Sequence, residues 1–85
     1  MIPKIKKIEA QKNLKLLVAF DSGETVLYDV NEDIDEIKDF LPLRTETGLF
    51  ENFQLDESRT CVSWSDQIDL PSDTIYEYGK HLKVV

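Results

Sequence analysis

The stretch that decides the fold is LKLLVAFDSGETVLYDV, residues 14–30. Apolar residues alternate with their neighbours on both sides of a polar segment, DSGE, at residues 21–24. A period of two is typical of a β-strand with one buried face. Aspartate favours the start of a turn, and Gly23 can adopt a positive φ without a Cβ clash. The stretch therefore predicts a β-hairpin. Its alternating apolar residues are Leu14, Leu16, Val18 and Phe20, then Val26, Tyr28 and Val30.

The segment before the hairpin predicts a third strand. Lysines alternate with Ile5, Ile8 and Ala10 across residues 4–10, and residues 11–13 supply a turn. Lysines on a solvated face and edge discourage pairing with other chains. We therefore interpret the N-terminal lysines as strand protection rather than as a nucleic-acid site, which usually adds arginines and stacking aromatics.

After the hairpin the apolar spacing becomes helical. Asp33 and Glu36 resemble a capping box, and acidic side chains suit the positive end of a helix dipole. Pro42 cannot continue a helix. The pattern predicts a helix of about two turns over residues 33–40. Its apolar positions are Ile34, Ile37, Phe40 and Leu41.

The second half predicts another hairpin and a closing helix. Residues 53–55 and 60–64 form its strands around a turn at residues 56–59, and Leu49 with Phe50 anchors one helical turn before it. Ser65, Asp66 and Gln67 break the strand, and Ile68 and Leu70 form a short extended piece. Ser72 or Asp73 caps the last helix, with Gly79 as the residue that follows it.

These elements predict a single α+β domain over residues 1–85. Eighty-five residues are too few for two cores, and the order is β-β-β-α-β-β-α with a mainly antiparallel sheet. The core spans about residues 2–79, and residues 80–85 are either a frayed tail or a brief edge strand. Trp64 is the expected anchor of the core. Tyr76 and Tyr78 lie on different sides of the last helix, so we expect one exposed tyrosine as a contact residue.

Charge is unevenly distributed along the chain. The formal net charge is −7. Residues 1–20 carry five lysines and one glutamate, whereas residues 21–57 carry twelve acids against Lys38 and Arg44. An acidic protein is repelled by phosphate backbones, so the balance disfavours direct binding of nucleic acid. The acidic middle is either a solvated face or a surface for a small basic protein partner.

The reactive side chains form no catalytic or metal-binding motif. His81 stands alone near the chain end, whereas metal sites need several converging ligands. Cys61 has no basic neighbour in the pattern to stabilise a thiolate, so it is interpreted as a partly buried apolar residue. Asp66 and Asp69 are acids of a turn rather than an acid–base pair. We expect no catalytic residues, no cofactor and no metal.

The acids of the predicted helix do not match a calcium loop either. An EF-hand needs oxygen ligands at alternate positions and a central glycine. Ile37 stands where a ligand is needed, and no glycine follows it. The acids concerned are Asp33, Asp35, Glu36 and Asp39, which we interpret as a solvated helix face.

An ordered series of short motifs runs through the chain. The motifs are LLVAFDSGE (16–24), YDV (28–30), LF (49–50), VSWSD (62–66), IDL (68–70) and SDTIY (72–76). In this order they resemble the small bacterial family named domain of unknown function 2442, across about residues 2–79. The resemblance implies a small α+β fold with an antiparallel sheet. Members resemble proteins encoded beside another small protein, an arrangement similar to toxin–antitoxin pairs.

We therefore expect a non-enzymatic protein-interaction module with a small basic protein partner. The alternative is an antitoxin-like or nucleic-acid-linked regulatory component that acts with a partner protein through the lysines of residues 4–15. An exposed edge strand offers a route to a homodimer. The chain shows no apolar leader and no apolar run near the ~20 residues of a membrane span. We thus expect a cytoplasmic location and no membrane contact.

Overall fold

The computed structural model describes residues 2–82. Within them, seven strands form two antiparallel sheets, joined by three short α-helices and one 3₁₀ turn. The strands are β1 Ile5–Gln11, β2 Lys15–Phe20, β3 Thr25–Asp29, β4 Gln54–Leu55, β5 Cys61–Ser65, β6 Ile68–Pro71 and β7 Lys80–Leu82. The helices are α1 Asn31–Glu36, α2 Pro42–Thr45 and α3 Ser72–Tyr78, with the 3₁₀ turn at Lys38–Phe40. The predicted α+β class and antiparallel pairing are confirmed.

The first sheet has the strand order β1-β2-β3-β7. Its central hairpin is the predicted one, with Leu17 opposite Leu27 and Gly23 at φ 94° in the turn. The turn between β1 and β2 lies one residue later than predicted, at residues 12–14, and Asn13 and Leu14 both adopt positive φ in it. Leu14 therefore lies in the turn and not in the strand.

The second sheet has the order β4-β5-β6 and was only partly predicted. The piece through Ile68 and Leu70 pairs with β5 along Val62 and Ser63, so it is a third strand. The predicted turn at residues 56–59 is present. The Asp56 carboxylate holds it by accepting hydrogen bonds from the backbone N–H groups of Thr60 and Cys61, at 2.9 and 3.1 Å.

The prediction of one continuous helix over residues 33–40 is wrong. The segment is two pieces separated at Ile37, which has extended backbone angles of φ −117° and ψ 110°. Side chains six residues apart in one helix would point about 120° apart. The break instead lets Ile34 and Phe40 both reach the core, and it leaves Ile37 exposed.

Three other predictions about the helices are also wrong. Pro42 does not end a helix; it occupies the first turn of α2, where its missing N–H costs no hydrogen bond. Leu41, expected on the buried side, is 47% exposed. The predicted capping box is absent from α1, because that helix begins at Asn31 and the Asp33 side chain accepts a hydrogen bond from Tyr28 instead.

One apolar core lies between the two sheets and the helices. It contains side chains from β1, β2, β3, β5, β6, α1, α2 and α3. Trp64, the predicted anchor, is half-buried at its margin rather than central; its ring stacks on Phe50, with ring centroids 5.9 Å apart. The largest fully buried side chain is that of Phe20, which is 1% exposed.

The chain end adds an edge strand to the first sheet. Lys80–Leu82 pairs with β3, so for these residues the edge-strand alternative is the one observed. Residues 83–85, where the same expectation placed Val84 and Val85, lie outside the described residues. Among those described, no helix has the length and apolar character needed to cross a bilayer.

Candidate functional site

The acidic segment of the sequence does not form one continuous face. Asp21 receives two hydrogen bonds from the Arg59 guanidinium, both at 2.8 Å, and this contact lowers the pKa of Asp21 below its usual range. Arg44 lies 3.2 Å from the Asp35 carboxylate. Glu24 contacts His81. Basic side chains from elsewhere in the chain thus neutralise three of the acids.

Three other acids converge with two tyrosines on one cleft. We call it the Tyr28 cleft; its volume is about 390 Å³, and it is lined by Tyr28, Glu32, Asp33, Glu36, Thr74 and Tyr78. Strand β3 supplies its floor, α1 one wall and α3 the other. Within residues 2–82, neither Glu32 nor Glu36 lies within 4.0 Å of a basic nitrogen.

A partly buried hydrogen bond fixes the floor of the Tyr28 cleft. The Tyr28 hydroxyl donates to Oδ2 of Asp33 at 2.6 Å, while the Tyr28 ring is only 5% exposed. Burial, and then the bond to Asp33, raise the pKa of Tyr28 above its usual range. The phenol therefore stays protonated and donating at neutral pH.

Asp33 is the acid of the Tyr28 cleft whose ionisation is most clearly disfavoured by its surroundings. Burial raises the pKa of Asp33 above its ordinary value, and the charges of Glu36 and Asp29 act in the same direction. The hydrogen bond from Tyr28 opposes this rise. A cation bound in the cleft would relieve the repulsion among the carboxylates, so the cleft favours positively charged ligands.

Tyr78 forms the open side of the Tyr28 cleft. Its ring is 75% exposed, whereas Tyr76 of the same helix packs against Phe20 with ring centroids 5.2 Å apart. The prediction of one exposed tyrosine is therefore confirmed, and the residue is Tyr78. An exposed tyrosine beside acids is the type of surface that receives an arginine or lysine side chain.

A second cleft brings together one thiol and two of the carboxylates that the sequence offered as candidates for catalysis. It has a volume of about 420 Å³, and Cys61, Asp66 and Asp69 line it together with Trp64. No histidine, lysine or arginine is among its lining residues. Burial, and then Asp69 and Asp56, raise the pKa of Cys61 above its usual range, which disfavours the reactive thiolate. Asp73 does not line this cleft; its carboxylate accepts a hydrogen bond from the backbone N–H of Thr74.

His81 has a structural setting that the sequence did not indicate. Its Nδ1 lies 2.5 Å from a carboxylate oxygen of Glu24, and its Nε2 lies 2.6 Å from the carbonyl oxygen of Tyr76. Both ring nitrogens thus face acceptors, which favours the doubly protonated ring. The hydrogen bond to Tyr76, and then Glu24, raise the pKa of His81 above its usual range. The ring of His81 thus links β7 to α3 and to the hairpin turn.

No protein-family model, no curated protein and no solved structure matched the chain when it was compared with them. Within residues 2–82, no group of three or more histidine, cysteine or acidic side chains is arranged to hold a metal ion. Sequence reasoning missed the Tyr28 cleft because Thr74 and Tyr78 lie about forty residues after Asp33. The early signals were the −10 charge of residues 21–57 and the expectation of one exposed tyrosine in the last helix.

Proposed function

We propose that this chain is a non-enzymatic, cytoplasmic protein-interaction module that binds a small basic protein through the Tyr28 cleft. The observation that carries the proposal is the contrast among its acids. Asp21, Glu24 and Asp35 already contact basic side chains. Glu32 and Glu36 contact no basic side chain among residues 2–82, and they share their cleft with the exposed ring of Tyr78. Glu46 and Glu51 also contact no basic side chain among these residues, but the cleft that they line contains no aromatic side chain.

Arginine is the side chain that fits this cleft best. A guanidinium can lie over the exposed ring of Tyr78 and donate to the carboxylates of Glu32 and Glu36 at once. Opposite charges on partner and cleft also accelerate encounter and exclude acidic competitors. A small partner rich in arginine would therefore combine a specific contact with the attraction of a chain whose net charge is −7.

The proposal of a non-enzymatic role is supported by the setting of the reactive groups. The Cys61 thiol is held in its neutral form by burial and nearby acids. Both nitrogens of His81 are engaged by Glu24 and Tyr76, so neither is available to exchange a proton with a substrate without breaking a contact. Neither residue lines the Tyr28 cleft.

The resemblance to domain of unknown function 2442 favours a partner encoded beside this chain. A second candidate function follows from it: an antitoxin-like regulatory component that touches nucleic acid in company with that partner. The observation favouring this candidate is that Lys4, Lys6, Lys7 and Lys12 are all exposed along β1 and its turn. Gel shifts at low salt, with and without the partner, test it; no shift in either case would contradict it.

The primary proposal is tested by comparing what co-purifies with three tagged baits from native extract. The first is the unchanged chain, the second carries Glu32→Gln and Glu36→Gln, and the third carries Glu46→Gln and Glu51→Gln. The third is a matched control, because its two acids are exposed on a separate loop and the net charge changes equally. We expect a basic protein with the first and third baits and its loss with the second.

Equal recovery of that protein with all three baits would contradict the assignment of the cleft. Loss with both variants would show that net charge, and not the cleft, controls binding. That result would equally contradict the proposal.

A further inference from the structure

The first sheet has one face packed on the core and a second face that we call the outer face. Side chains of β1, β2, β3 and β7 alternate across the pleat, so the residues between the buried ones point outward. The apolar centre of the outer face consists of Leu17, Ala19, Leu27 and Leu82. Among residues 2–82, Leu17, Ala19 and Leu27 are half-buried and lie outside the apolar cluster that the helices and the second sheet complete.

One row of the outer face crosses all four strands. Glu9 lies opposite Leu17, Leu17 opposite Leu27, and Leu27 opposite Lys80. The row therefore has an acid at the β1 edge, apolar side chains in the middle and a lysine at the β7 edge. Glu9 also contacts Lys7 of the same strand at 3.2 Å, but both side chains are at least half exposed, so Glu9 remains accessible to a lysine of a second copy. Glu9 and Lys80 are separated by two intervening strands, about 14 Å, and so cannot pair within one chain.

A two-fold rotation about an axis parallel to the strands, between β2 and β3, makes this row complementary to itself. It places Glu9 of one copy over Lys80 of the second copy, and Leu17 over Leu27. Each charge then meets its opposite at both ends of the row, around an apolar middle. Such self-complementarity is what a two-fold interface requires.

A second row of side chains is also complementary to itself under this two-fold rotation. Lys15 lies opposite Asp29 on the same face. The rotation exchanges β2 and β3, so Lys15 of one copy lies over Asp29 of the other. In a third row, on the opposite side of the Glu9–Lys80 row from Lys15, Lys7 lies over Leu82, where its aliphatic stem can cover the leucine. Two charge pairs of opposite sign thus match under a single axis.

The edges of the same sheet are poorly suited to pairing. A register shift between Ile5 and Lys7 interrupts the ladder of β1, and the backbone N–H of Ile5 already donates to the carbonyl oxygen of Arg59 at 2.8 Å. At the other edge, β7 spans only three described residues, Lys80–Leu82. Bulges, charges and short strands are common protections of sheet edges.

We propose that two copies of this chain associate through their outer faces, with Glu9 of each copy over Lys80 of the other. Face-to-face sheets pack about 10 Å apart with strands roughly aligned, which this axis permits. Four strands and three side-chain rows give a face of roughly 19 Å by 20 Å. That is roughly 380 Å² per copy, which is less than a stable specific dimer buries, so the dimer is weak and depends on concentration.

The test is sedimentation equilibrium of the whole chain over a range of about 10 µM to 1 mM. We expect a monomer–dimer equilibrium for the unchanged chain. Lys80→Glu sets two like-charged pairs across the axis and should weaken dimerisation by about tenfold. Adding Glu9→Lys to Lys80→Glu reverses both charges, and we expect it to restore dimerisation.

Lys38→Glu is the matched control, since Lys38 is exposed on the 3₁₀ turn and not on the outer face. It should leave the dissociation constant of the dimer within about twofold of the unchanged chain. All these changes are on exposed side chains, and circular dichroism spectra confirm that each variant is folded. A monomer at every concentration would overturn the proposal. So would a dimer that Lys80→Glu does not weaken, or one that Glu9→Lys does not restore, since either would place the contact elsewhere.

Discussion

At the scale of single residues, several side chains do something other than their sequence pattern indicated. Gly79 follows α3 as predicted, but its φ is −78°, so it is not required for a left-handed cap. Glycine is needed at this position because the neighbouring atoms leave no room for a side chain. A Cβ there would overlap a methyl group of Val26 and lie 2.6 Å from the carbonyl oxygen of Ile75. No sequence pattern reveals such a close approach, because it depends on where β3 lies relative to α3.

Gly79→Ala should therefore destabilise the fold by about 2 kcal/mol, the usual cost of forcing an extra methyl into a packed site. Chemical denaturation monitored by circular dichroism measures it. Gly48→Ala is the control: Gly48 has open space around it and a φ of 84°, so alanine there meets only backbone strain of about 1 kcal/mol. A Gly79→Ala variant no less stable than Gly48→Ala would contradict the packing described for β3 and α3.

His81 supplies a pH dependence at the same scale. Because its pKa is higher in the folded chain than in the unfolded chain, its contribution to stability is complete below about pH 6.5. That contribution is lost as pH rises through the folded pKa. We expect the difference in Tm between the unchanged chain and His81→Gln to shrink from about pH 5 to about pH 8.

The same contact can be measured directly, since His81 is the only histidine. An NMR titration of the ring should give a pKa above the usual value of about 6.5, and Glu24→Gln should lower it. A ring that titrates at its usual value, insensitive to Glu24→Gln, would show that it does not bridge Glu24 and Tyr76.

At the scale of elements, local patterns predicted the strands better than the helices. The hairpin of β2 and β3 was predictable because a period of two and a turn signal coincide within residues 14–30. The structure of residues 31–45 was not predictable from local pattern. Contacts with the core, and not the spacing of apolar residues in the sequence, determine where its three short helical pieces begin and end. Ile37 and Leu41 fit a helical stripe, yet Phe40 and Leu43 are buried in their place. Strand β6 was recognised only as an extended piece, since four residues carry little pattern.

Trp64 links the second sheet to the loop before it. Its indole Nε1 donates to the carbonyl oxygen of Phe50 at 2.8 Å while the two rings stack. Trp64→Ala should cost about 3 kcal/mol in unfolding free energy, because it removes both packing and the partner of a carbonyl oxygen. Trp64→Phe retains a ring for stacking and should cost less.

Urea denaturation of the two variants, monitored by circular dichroism, provides the measurement for Trp64. Equal stability of Trp64→Ala and the unchanged chain would show that the loop holds its place without the indole. That outcome would contradict the anchoring role given to Trp64 at the margin of the core.

At the scale of the whole molecule, the fold distributes charge in a way that composition alone cannot show. Of the twelve acids in residues 21–57, three contact Arg44, Arg59 or His81, three line the Tyr28 cleft, and the other six lie elsewhere. The sequence predicts only that a partner would be basic, and the packing of α3 beside α1 shows where three of the acids converge. The outer face is likewise a product of strand register, since Glu9 and Lys80 lie far apart in the chain.

The most direct test of the interaction-module account is an NMR titration of the chain with a short peptide of alternating arginine and glycine. We expect amide shifts concentrated at Glu32, Glu36 and Tyr78, weakened by Glu32→Gln with Glu36→Gln and retained in Glu46→Gln with Glu51→Gln. Shifts spread evenly over all acidic residues, or centred on Glu46 and Glu51, would contradict a binding site at the Tyr28 cleft.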